Sequence, residues 1–141
     1  MPYSMFHSRF PEIAKKETRC FVIPNSASTV LPPGEYGLLE MYCDEPGCDC
    51  RRVMLAVLCS ETKQELAFIT YGWGTAQFYA KWFGHDDPEG IEEMQGVKLN
   101  MCSAQSKYAS VILDLVKNQV LSDTNYIKRL QRHYELFRSS L

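Results

Sequence analysis

Long hydrophobic runs are missing from this chain. The longest, Val53 to Cys59, is seven residues, where a membrane-spanning helix needs about 20, so no transmembrane span is expected. A surplus of one charge is missing too: 15 basic and 17 acidic residues leave a net −2. That balance argues against a dedicated binder of nucleic acid or anionic membrane, whose phosphate contacts require a basic excess. No apolar stretch precedes His7, Arg9, Lys15 and Lys16, so no export signal is expected. Also absent are a P-loop, G-x-G-x-x-G, H-E-x-x-H, G-x-S-x-G and an EF-hand loop. The usual sequence routes to phosphate binding, zinc proteolysis, serine hydrolysis and calcium binding are thereby closed. Disorder is excluded by the opposite consideration, since 45% apolar residues supply ample material for a core.

The residues present read as one α+β domain over 1–141. Pro11 to Lys16 has Pro at a first helical position and a Glu12/Lys16 pair one turn apart, which predicts a short helix. Cys20 to Ile23 is β-rich and stops at Pro24, and Asn25 to Gly34 is loop. Glu35 to Cys43 alternates, with Tyr36, Leu38 and Tyr42 on one side and Leu39 and Met41 on the other. Arg52 to Cys59 is apolar on both faces and belongs at a sheet centre. Leu66 to Trp73 completes an antiparallel meander over about residues 35–73. Gly72 and Gly74 let the third strand turn into a helix over Thr75–Phe83, with Thr75 as its cap and Gly84 as its stop. His85 to Gly96 reads as an acidic turn region and Val97 to Met101 as a short strand. Two C-terminal helices follow, one capped by Ser103 and running to about Gln119, one capped by Ser122 or Asp123 and running to about Arg138. The helices are expected on one face of the sheet.

Cysteine is what the chain has in excess. Six thiols occur in 141 residues, three of them, Cys43, Cys48 and Cys50, within eight positions. In a reducing cytoplasmic setting such a cluster points to metal or redox chemistry rather than structural disulfides. Cys43 ends one strand, Cys50 opens the next, and Cys48 sits in the turn around Pro46-Gly47, so a hairpin alone gathers three thiols. Zinc takes four ligands, sulfurs at ~2.3 Å in tetrahedral array. The reading is therefore a structural Zn²⁺ held by Cys43, Cys48, Cys50 and a fourth ligand. Arg51 and Arg52 stand ready to offset thiolate charge. Cys59 lies nine strand residues beyond Cys50, about 30 Å away. Cys102 is the preferred fourth ligand, on the expectation that the strand over 97–101 returns to the cluster end. His85, His7, Cys20 and a water are the other candidates.

Two functional classes follow. In the first, the metal stabilises a recognition protein for a protein or small-molecule partner. In the second, the cluster is a metal-dependent or thiol-redox enzyme, with Asp44, Glu45 and Asp49 as the available proton acceptors. His133 reads as a half-exposed residue on the last helix. Lys128, Arg129, Arg132 and Arg138 make that helix's outer side basic, with the Asp86–Glu93 segment as an intramolecular counterpart.

Overall fold

The computed structural model describes residues 2–141 and shows a mixed α+β fold. The elements run β1 (Tyr3–Met5), α1 (Phe6–Arg9), α2 (Pro11–Glu17), β2 (Cys20–Ile23), β3 (Gly34–Cys43), β4 (Arg52–Cys59), β5 (Gln64–Gly72), α3 (Ala76–Phe83), α4 (Pro88–Met94), β6 (Gly96–Leu99), α5 (Ala109–Leu115) and α6 (Thr124–Ser139). A wider π-helical turn, Val116–Val120, extends α5 toward α6.

The meander is the centre of one antiparallel sheet of six strands. Its path is β1-β3-β4-β5-β6, and β2 pairs with the other half of β3's outer edge. Tyr36, Leu38 and Tyr42 of β3 face the same side as Val53, Leu55 and Val57 of β4, as the register Leu38↔Val57 and Glu40↔Leu55 requires. Phe6 of α1, Ala14 of α2, Ile112 of α5 and Leu130, Tyr134 and Phe137 of α6 pack on that side to form the main core. A second, smaller core lies at one end of the sheet, where Cys43 and Cys50 meet Tyr79 of α3 and Met94 of α4.

Local chemistry accounts for most boundaries. The Thr75 hydroxyl accepts from the Phe78 amide and Gly84 closes α3 in the left-handed conformation. Asp123, rather than Ser122, caps α6 by accepting from the Asn125 amide. Four elements depart from the reading above. The acidic segment contains a helix, α4, with Asp87 as its cap and Pro88 at its first position, a start signal of the standard kind. The helix expected from Ser103 begins only at Ala109. The intervening chain is stitched to the outer edge of β5: the Asn100 amide donates to Phe68 O, Gln105 bonds both the amide and the carbonyl of Phe68, and Ser106 bonds Leu66 O. With β6 only four residues long, that edge needs other partners, and this demand outcompetes the Ser103 cap. The N-terminal β1 and α1 were not foreshadowed, since Tyr3-Ser4-Met5 is too short for its alternation to register.

Candidate metal centre

Cys43, Cys48 and Cys50 come together at the β3–β4 hairpin, their sulfurs all within 4.8 Å of one another. Cys43 is 4% exposed, Cys50 fully buried and Cys48 partly exposed. Tetrahedral zinc places sulfurs about 3.8 Å apart, so a small contraction of the trio suffices to hold an ion. Gly47 bends the hairpin at φ +81°, and Arg51 turns the chain into β4 at φ +53°. Both are left-handed conformations. For Arg51 this is backbone strain held in place by its surroundings.

Those surroundings come from α6 and α3. The Tyr134 hydroxyl accepts from the Arg51 amide at 3.0 Å and donates to Asp49 Oδ1 at 2.7 Å. Arg138 donates through Nε to the Cys48 carbonyl at 3.1 Å and places Nη1 3.6 Å from Asp49. The Tyr79 hydroxyl of α3 lies 2.9 Å from the Cys50 carbonyl and 3.1 Å from that of Arg51. Both carbonyls are thus bound, that of Arg51 also by the Trp73 amide at 3.0 Å. Gly72 lets α4 approach, since a Cβ there would sit 1.9 Å from the Met94 carbonyl oxygen. These contacts fix the thiols before any ion arrives. Sequence reasoning missed them because Tyr134 and Tyr79 registered as apolar helix positions; their hydroxyls are the functional ends.

Burial pushes the Cys50 thiol up to about 12, and the neighbouring thiols of Cys48 and Cys43 add to the rise. Burial also raises Cys43, opposed by a hydrogen bond from the Glu45 amide. An amide of Arg52 faces the Cys50 sulfur in the same sense. Asp49 would be raised by its burial, yet the Tyr134 hydroxyl, Arg138 and Arg51 together hold it below the usual carboxylate range. Cys43 and Cys50 are thus held as thiols, whose protons a metal ion must displace.

Cys102 does not reach this group. β6 pairs with β5 so that Gly96 lies beside Gly72, at the cluster end, and Leu99 beside Ile69. The strand therefore departs from the cluster instead of returning to it. The cause is α3 and α4, which cap the cluster end rather than lead away from it. Cys102 is exposed in the turn beyond β6, its amide donating to Asn100 Oδ1, and it does not stand at a helix N-terminus. His7, His85 and Cys20 are likewise exposed. Among the described residues no other Cys, His, Asp or Glu joins the trio.

His133 overturns its expectation. It is completely buried, with Nδ1 2.7 Å from Glu40 Oε1 and Nε2 3.4 Å from Glu17 Oε1. Its ring stacks on Phe6. The basic side of α6 finds its acids elsewhere than in Asp86–Glu93: Arg132 pairs with Glu17, and Arg138 with Asp49 and Glu135.

The fold and site define an α+β chain with a three-cysteine group able to hold a metal ion. Compared with known proteins, the chain matches no family model, no curated protein and no solved structure. Among the described residues no helix is long and apolar enough to cross a membrane.

Proposed function

We propose that this is a cytoplasmic zinc-binding protein in which the ion is structural and the role is recognition of a protein or small ligand. The observation that carries the metal reading is the convergence of three sulfurs within 4.8 Å at a hairpin held from outside by Tyr134, Arg138 and Tyr79. Three free thiols at a polar turn, two of them buried, fit soft-metal ligation. Zinc is favoured among soft metals because it needs no redox partner and tolerates a protein-imposed tetrahedron. Free rather than bridged thiols suit a reducing compartment.

The test is elemental analysis of protein purified without added metal, alongside a count of reactive thiols. About one zinc per chain with protected thiols is the expected result. Cys48→Ala should abolish stoichiometric zinc and Cys102→Ser should leave it intact. Full zinc retention in Cys48→Ala would end this reading.

The donor count favours a second reading. Three protein ligands leave a fourth position for water, the arrangement in which zinc acts as a Lewis acid. In the cobalt-substituted protein, azide should then perturb the visible spectrum. A spectrum indifferent to azide would dispose of the open-site enzyme.

A further inference from the structure

The sheet has a second face, turned away from the main core, and it carries a cavity of about 480 Å³. The strand register makes its floor. Arg52 and Met54 alternate along β4 on that face, Met54 lies beside Thr70 of β5, and Thr70 lies beside Lys98 of β6. Met94 at the end of α4 and the exposed Met101 supply apolar walls, and the Cys102 thiol also lines the cavity.

Two cations line this cavity against one carboxylate, the exposed Glu93. Arg52 donates through Nη1 to the Tyr3 hydroxyl at 3.3 Å. Its Nε is shielded from solvent and has no hydrogen-bond partner among the described residues. Among the described residues no carboxylate lies within 4.0 Å of its guanidinium, and it is the arginine that lines the cavity. A shielded donor on a charged group without an acceptor is costly and calls for an explanation. Among the described residues Lys98 is held only by Glu92, at 3.7 Å, and that carboxylate is 79% exposed. Thr70 brings a nearly buried hydroxyl between them. Two underused cations over a methionine-lined floor describe a receptor for a molecule with an anionic head and an apolar body. The guanidinium fork suits a carboxylate or phosphate oxygen pair, and flexible thioethers adapt to an apolar chain.

We propose that the cavity over Met54 and Thr70 is a binding site for a small amphipathic anion, its carboxylate or phosphate head on Arg52 and Lys98 and its apolar body among Met54, Met94 and Met101. None of the three cluster cysteines lines the cavity, although it borders their core through Met94.

The full-length protein as purified is titrated calorimetrically with octanoate, octyl phosphate, octylammonium and inorganic phosphate. Saturable one-site binding of octanoate or octyl phosphate is expected, with octylammonium inert; whichever of the two anions binds identifies the head. Inorganic phosphate is expected to bind more weakly than either, and binding equal to theirs would overturn the role given to the apolar body. Arg52→Met and Lys98→Met should each weaken the octyl anion by about tenfold or more, while melting temperature reports whether either variant has lost its fold. Lys98→Met, on a partly exposed position of a short strand, keeps the test alive if Arg52→Met fails to fold. The bound anion should slow alkylation of Cys102 by iodoacetamide without slowing that of Cys20, an exposed thiol outside the cavity lining. No saturable binding, equal binding of octylammonium, or affinity unchanged in Lys98→Met would each overturn the proposal.

Discussion

Glu40 projects from the middle of β3 into the main core, where it is 5% exposed. One carboxylate oxygen meets both His133 Nδ1 at 2.7 Å and the Tyr42 hydroxyl at 2.6 Å. A carboxyl group in this apolar core persists only because these partners satisfy it. Removing one partner leaves the other buried without its hydrogen bond, at about 1–3 kcal/mol. Glu40→Leu should therefore cost several times more in urea unfolding than the double change Glu40→Leu/His133→Leu, in which neither polar group remains. Equal losses in the two would show that Glu40 and His133 do not depend on each other. Neither residue was legible as such in the sequence, because a Glu in an alternating strand and a His beside a helix face carry no mark of burial. Only the tertiary pairing reveals them. Tyr134 is a parallel case nearer the thiols. Tyr134→Phe keeps the ring in the core but strips Asp49 and the Arg51 amide of their partner, and should cost about 1–3 kcal/mol. Zinc affinity, measured by chelator competition, should fall about ten- to a hundredfold, as second-sphere losses do. An unchanged affinity would detach α6 from the metal site.

The same interplay between local signal and tertiary demand runs through the elements. β3, β4 and β5 were readable because their alternation is long and their turns carry Pro46-Gly47 and Ser60–Gln64. The α3 boundaries were readable because Thr75 and Gly84 are strong local signals. α4 was marked equally well by Asp87-Pro88, but its acidic surface obscured a short apolar side made by Ile91 and Met94. The start of α5 was not readable at all, since the chain from Asn100 to Ser106 is committed to the unpaired edge of β5. Direction mattered as much as type. A strand near 97–101 was foreseen, yet which way it runs depends on where α3 and α4 sit, and that error carried Cys102 into the ligand set. The packing of these helices rests on Gly72, where a Cβ would meet the backbone oxygen of Met94 rather than a movable side chain. Gly72→Ala should destabilise by about 2 kcal/mol or more and raise the proteolytic susceptibility of the α3–α4 segment. Stability within error of the parent would mean that α4 is not seated against β5. The contact of α2 with α6 depends on acidity instead. The Arg132 hydrogen bond, with its charge and that of His133, keeps the Glu17 carboxyl below its usual range. A depressed carboxylate contributes stability above its unfolded value, near ~4.3, and loses it as pH falls through the lower folded value. Glu17→Gln should thus lower the urea midpoint at pH 7 and converge on the parent as pH drops toward 3. A gap that persisted in acid would require a cause other than ionisation.

At the scale of the molecule, the division into two cores decides what the metal is for. Small zinc modules unfold without their ion because they have no other core. Here the main core gathers buried residues from Phe6 to Phe137, both ends of the chain included, and contains none of the three cluster cysteines. The second core has four buried residues, Cys43, Cys50, Tyr79 and Met94, and two of them are thiols. An ion at the hairpin therefore adds to a region held otherwise by a small core and by the polar ties of Tyr79, Tyr134 and Arg138, while the rest of the sheet depends on apolar packing. Local stability should follow this division. On chelation, amide hydrogen exchange should accelerate at the hairpin tip around Asp44 to Arg51 and through α3 and α4. The centres of β3, β4 and β5 and the length of α6 should keep most of their protection, with Tyr134 as the boundary where the two responses meet. Uniform loss of protection would instead make the ion the keystone of the whole fold, and would show that the hairpin's ties to α6 transmit its loosening into the main core.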